Sequence, residues 1–331
     1  MQTNRRLPLS KSYRSLTLVA ALTLSAFTTA TQADEITLRA ISAFQPNTVF
    51  YEPFEVFADR VNENGAGIVQ IEVIGGPDAM PPFEIGNALR NGVVDMANTT
   101  AVYHANLVPE GLAMTLTNLP MSELRANGGY DLLDGIHREK AGIHWLGRLT
   151  ENVPYHIYLS DEHENLEFEG LKIRSVPIYQ AFFKGLGINT MQTSPGEVYT
   201  ALERGTIDGY AWPATGVFDL GWQEKTKARV DPGFYQVETG VYFSEKTWEK
   251  LNGEQRAFLE SQMLQIESES ERFIPLAAAD IARQTEEGIA SLSLPEAEAA
   301  AFIEMSVEEG WKPILAANPE AGPKLREMFS K

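Results

Sequence analysis

Residues Ile36–Ser42 (ITLRAIS) alternate apolar and polar side chains at period two, which predicts a half-buried strand. Phe50, Phe54, Phe57, Ala58 and Val61 then recur at helical spacing, and Gly65 and Gly67 mark where that helix stops. Residues 68–74 alternate again, 82–90 read as a second helix closed by Gly92, and 93–98 read as a third strand. Strands separated by helices imply parallel pairing in an α/β sheet. A further strand over 153–160 precedes an acidic loop, 161–169, and predicts a crossing into a second domain. Residues 238–243 predict a strand returning to the first. Beyond it, 253–289 reads as one long helix, broken or bent near Pro275 and long enough to brace both domains.

The amino-terminal stretch stands outside this pattern. Arg5, Arg6, Lys11 and Arg14 precede an apolar run over 16–27, well short of the roughly 20 residues a spanning helix needs. Small residues follow, with cleavage expected near Ala33, so the pattern predicts a secretory signal peptide over 1–33 and a periplasmic mature protein. The 331-residue chain has a formal net charge of −18, which becomes −22 when the four basic leader residues and no acidic ones are lost. A chain this acidic is a poor nucleic-acid binder, and it repels anions at long range. Any anionic ligand must be caught by local positive charge. Cysteine is absent, so the core must hold the fold without disulfides.

The segment from Gly170 to Pro213 supplies that charge. Arg174 follows an apolar strand end, and Ser175 and Pro177 suit the cap and first turn of a helix running to Gly185. Ligands of open α/β sheets sit just past the carboxyl ends of strands, and a guanidinium there can clamp a carboxylate with two parallel hydrogen bonds. Ser194 and Glu197 have capping-box spacing, which gives Glu197 a structural role. Tyr210 and Trp212, two apart on a strand ended by Pro213, share one face, and the Ala214-Thr215-Gly216 stretch after them marks a cleft edge. Phe50, Tyr51, Thr99 and Thr100 follow the first and third strands, at the matching positions across a two-domain cleft.

The runs GLKIR with Arg174, EVYTALERGTIDG from Glu197 to Gly209, FEIGNALRNGVVDMAN and EKTWEKL resemble the solute-binding proteins of tripartite ATP-independent periplasmic (TRAP) transporters over nearly all of the mature chain. The resemblance implies a two-lobed, type II periplasmic-binding-protein-like α/β fold with two mixed sheets flanked by helices. The lobes would comprise 34–150 plus 237–276 and 151–236 plus 277–331, closing on a small organic acid for delivery to integral membrane subunits. It implies that the arginine matching Arg174 grips the ligand carboxylate. It also points to Arg148, in a Gly-Arg context one residue shorter than the family's. Tyr210-Ala211-Trp212-Pro213 stands where well-known members carry Gln-Glu-Asn-Pro, so an indole replaces an amide, and a monocarboxylate with an apolar or aromatic body is expected rather than sialic acid or a C4-dicarboxylate.

An exported hydrolase and a ligand-sensing receptor of a signalling system are the alternatives. No Gly-x-Ser-x-Gly elbow, His-Glu-x-x-His pair or cysteine nucleophile is present. His104, His137, His144, His156 and His163 are scattered and read as surface or cleft-rim residues, with no metal or cofactor expected. Asp208 before Gly209 reads as a turn former. A monomer is expected.

Overall fold

The computed structural model describes residues 35–162 and 167–330; the leader with its cleavage site, and His163, lie outside them. The described residues contain twelve strands: β1 (Ile36–Ser42), β2 (Val69–Gly75), β3 (Met96–Thr99), β4 (Ile143–Thr150), β5 (Pro154–Leu159), β6 (Lys172–Ser175), β7 (Asn189–Gln192), β8 (Gly209–Pro213), β9 (Ala228–Asp231), β10 (Phe234–Gln236), β11 (Thr239–Ser244) and β12 (Ala290–Ser293). They form two mixed sheets flanked by helices, ordered β2-β1-β3-β11-β4 and β12-β9-β5-β8-β6-β7, with β10 paired to β5. β1 pairs parallel with β2 and β3, as helix-separated strands do, while β11 joins β3 to β4 with antiparallel pairing on both sides.

The predicted apolar stripe forms the helix Glu52–Asn64, which buries Phe54, Phe57, Ala58 and Val61 against the first sheet. The reading of 253–289 as one helix is corrected in detail. Gly253–Glu267 and Phe273–Glu286 are separate helices joined by a 3-10 turn at Ser270–Arg272. The break precedes Pro275, which sits in the first turn of the second helix, where a missing N–H costs nothing. The first helix lies on β4 and the second reaches β12, so the pair runs from one sheet to the other. Near the carboxyl end, Glu296–Ala317 packs on Gln180–Gly185 and on the 3-10 segment Pro109–Thr115, and Ala321–Phe329 packs on Gly129–Ala141. Among the described residues no helix is long and apolar enough to cross a membrane.

Candidate functional site

β6 and β8 run parallel, and β5 runs antiparallel to β8. The carboxyl ends of β6 and β8 therefore meet the start of β5, where its second residue, Tyr155, pairs with Pro213. Arg174 is the third residue of β6, still within the strand and in register with Tyr210 and Met191. The expected cap at Ser175 is not formed: its Oγ donates to the carbonyl of Val176, and Val176 is the residue that precedes the 3-10 turn Pro177–Tyr179. The helix that follows, Gln180–Gly185, is correspondingly shorter than predicted.

The Arg174 side chain is 1 % exposed. Its Nε donates to the carbonyl of Thr193 at 3.0 Å, Nη1 makes a long 3.5 Å contact with the carbonyl of Ala211, and Nη2 is buried with no partner. No acid lies in ion-pair range of it among the described residues. The guanidinium carbon stands 5.5 Å from the centre of the Trp212 ring. Three tyrosines complete the surroundings. Tyr155 and Tyr179 meet edge to face with ring centres 5.4 Å apart, and Tyr103 approaches from beyond β3. Burial pushes all three hydroxyls up in pKa, and the Arg174 charge pulls each partly back.

Arg174 faces a cavity of about 20 Å³, lined also by Phe44, Phe50, Thr100, Trp212 and Glu238. A second, open cavity of about 730 Å³ lies on the other side of Phe44, Phe50 and Trp212, which line both. Phe50 meets Trp212 edge to face at 5.9 Å and Phe44 at 5.6 Å, so these rings form a partition between the two spaces. Gly216, which also lines the large cavity, packs against it. Its φ is +88°, and a Cβ there would come within 3.2 Å of both Trp212 Nε1 and Val49. The charged residues lining the large cavity are Asp78, Glu197 and Asp219; neither Lys nor Arg is among them.

The other expected site residues scatter. Tyr210 shares a face with Trp212, and both meet Trp222, at 4.7 and 4.8 Å. Tyr210 is fully buried, stacked on Tyr158 with its hydroxyl on Thr226, and lines neither cavity. Arg148 on β4 gives Nη1 to Glu151 at 3.1 Å and Nη2 to the carbonyl of Met114, also away from both cavities. Phe50 and Thr100 line the small cavity; Thr100 Oγ1 donates to Glu238 at 2.9 Å. Tyr51 precedes the first helix and packs on Phe54, while Thr99 and Thr215 are buried with unpartnered hydroxyls. Glu197 caps its helix as expected, accepting from the N–H of Ser194 at 3.0 Å and its Oγ at 2.7 Å.

Sequence reasoning missed Phe44, Tyr103, Tyr155, Tyr179 and Glu238. Only Tyr179, one turn past Arg174, carried a positional signal. The reading of the histidines as surface residues is corrected: His104, His137, His144 and His156 are all buried. His104 and His137 meet edge to face at 5.6 Å, and His144 is tied to Asp134. An imidazole is as much apolar ring as polar edge, so spacing alone cannot tell a rim position from a core one.

The profile of bacterial extracellular solute-binding protein family 7 matches residues 41–316. A solute-binding protein of Chromohalobacter salexigens is 26% identical over 230 residues, covering 63% of this chain and 64% of that one. The monocarboxylate 2-oxoacid-binding periplasmic protein of Nostoc sp. is 24% identical over 193 residues, covering 55% and 52%. The chain thus spans less than two thirds of the length of these curated relatives. A TRAP periplasmic solute-binding protein from Desulfovibrio salexigens, solved with bound orotic acid, superposes with a TM-score of 0.79 at 18% identity, covering 88% of this chain and 97% of that one. With the profile matched over most of its length, the chain belongs to bacterial extracellular solute-binding protein family 7, the solute-binding family of TRAP transporters, whose members are binding proteins and not enzymes.

Proposed function

We propose that this protein is a periplasmic receptor that captures a small organic monocarboxylate on Arg174 and delivers it to the membrane subunits of a TRAP transporter. The observation that carries this reading is the state of the guanidinium. It is buried near a strand's carboxyl end, unpaired with any acid among the described residues, and its Nη2 has no hydrogen-bond partner. A buried cation in that condition is costly, and a carboxylate relieves the cost by supplying both charge and acceptors. The Nostoc and Desulfovibrio relatives, whose names record a 2-oxoacid and orotic acid, support a carboxylate ligand.

In this reading the two sheets belong to lobes that hinge, over 34–150 plus 237–276 and 151–236 plus 277–331. A cavity of about 20 Å³ has room for little more than one water, so a solute requires the Phe44–Phe50–Trp212 partition to part. The ligand carboxylate then rests on Arg174 and its body lies along Trp212 toward the larger space. Tyr210 and Arg148 act from behind, through Trp222 and Glu151. A thermal-shift screen of organic acids finds ligands, because binding to the folded state alone raises the melting point. For any acid so found, Arg174→Ala should weaken binding by two or more orders of magnitude in calorimetry, at about 1.4 kcal/mol per decade. Near-wild-type affinity in a folded Arg174→Ala protein would refute the clamp.

A further inference from the structure

Glu238 lines the same small cavity as Arg174 and is a carboxylate with no ion pair among the described residues. Glu238 is 1 % exposed and immediately precedes β11. Its Oε2 accepts from Thr100 Oγ1 at 2.9 Å and from the N–H of Ala101 at 3.0 Å, and its Oε1 accepts from the Tyr242 hydroxyl at 2.7 Å. An ionised carboxylate has about four acceptor directions, so one on Oε1 stays open. No ion pair reaches Glu238 among the described residues. Arg148 acts on it only through space, its guanidinium being held by Glu151 and Met114. Burial pushes the Glu238 pKa up, a cost that a neighbouring positive charge would offset.

Arg174 and Glu238 are thus opposite charges, each buried and each without an ion pair among the described residues, lining one cavity of about 20 Å³. That volume is about one water, so a solute reaches both groups only when the partition parts. A solute carrying both a carboxylate and a positively charged donor would answer the two groups together. A second carboxylate there would meet Glu238 as a like charge in a site without water to screen it.

We propose that the solute is a zwitterion, an amino acid whose carboxylate sits on Arg174 and whose protonated amine sits on Glu238. The inference rests on the Arg174 reading above and adds the second pole. A hydroxyl in place of the amine satisfies the open Oε1 direction without neutralising the charge, so hydroxy acids rank second and dicarboxylates last. The side chain of the amino acid points past Phe44, Phe50 and Trp212 toward the larger space, which favours an apolar or aromatic body.

Two matched series test this by calorimetry. One is phenylalanine, 3-phenyllactate, 3-phenylpropanoate and benzylmalonate. The other is valine, 2-hydroxy-3-methylbutanoate, 3-methylbutanoate and isopropylmalonate. The wild-type protein should bind the amino acid of a series roughly a hundredfold tighter than its deaminated partner, the size expected of a buried hydrogen bond to a charged group. It should bind the dicarboxylate most weakly. Glu238→Gln should reduce that preference to within about tenfold and improve dicarboxylate binding; Glu238→Asp, which keeps the charge, should retain the order and covers the case in which the amide variant fails to fold. An amino acid that binds no better than its deaminated partner, or a preference unchanged in Glu238→Gln, overturns the zwitterion while leaving the clamp in place, provided Arg174→Ala still abolishes binding. Binding indifferent to Arg174 overturns both. Failure of all eight probes overturns the zwitterion.

Discussion

His104 packs edge to face on Tyr242 at 5.0 Å and on His137 at 5.6 Å, with both ring nitrogens buried and unpartnered. Burial, reinforced by the neighbouring imidazole, depresses its pKa from 6.5 to about 3. His137 is lowered as well, by burial first. Between these values the unfolded chain binds a proton that the folded chain refuses, so the stability is fully present above the unfolded value and drains away as pH falls. From pH 6.5 to 5, above the carboxylate range, His104 alone should cost about 1.7 kcal/mol, the linkage integral for a group half protonated in the unfolded chain at pH 6.5. Chemical denaturation over that window should show the loss, and His104→Leu, which cannot titrate, should flatten it. A variant that keeps the full slope would show that the burial account of this residue is wrong.

At the scale of elements, Gly253–Glu267 is held by one carboxylate. Glu267 receives Arg125 Nε and Nη2 at 2.8 Å each and the N–H of Arg148 at 3.2 Å. Gly147 makes room for it: a Cβ there would lie 2.2 Å from Glu267 Oε1. Glu267→Ala strands Arg125, which is largely buried, and should destabilise the protein by roughly 3 kcal/mol, with Glu267→Gln losing less. A denaturation midpoint unmoved by Glu267→Ala would mean the pair contributes nothing net.

Elements of this kind were largely legible in the sequence. Alternation and glycine stops located β1, the helix after it, β2, β5 and the returning β11, because each buries one face and its period records which. The gathering of the site was not legible. Alternation gives a strand's faces but not its direction, and only the antiparallel course of β5 brings Tyr155 to the edge where Arg174 emerges. The same period correctly put Tyr210 and Trp212 on one face, yet two residues of strand is roughly 7 Å, enough to place Tyr210 beneath the site rather than in it. Glu238 carried no signal at all. Its meaning comes from the residues that do not pair with it, and absence of a partner is a property of three dimensions.

At the scale of the whole molecule, charge and site oppose each other. The chain carries a formal net charge of −18, and the open cavity before the partition is flanked by Asp78, Glu197 and Asp219 with no Lys or Arg. Arg174, the cation proposed to take the anion, is buried behind that field. An approaching monoanion is therefore repelled until it passes the partition, and salt, which shortens the Debye length from about 30 Å at 0.01 M to about 8 Å at 0.15 M, removes the repulsion. The association rate of a simple carboxylate such as 3-phenylpropanoate should rise several-fold over that range, the reverse of ordinary electrostatic steering. A zwitterion has no net charge to repel, so phenylalanine should associate at a rate nearly independent of salt. Stopped-flow measurement of the two ligands separates long-range repulsion from the proposed local pairing on Arg174, which would govern dissociation. A carboxylate association rate that falls as salt is added would place attractive charge at the entrance, against the lining of Asp78, Glu197 and Asp219.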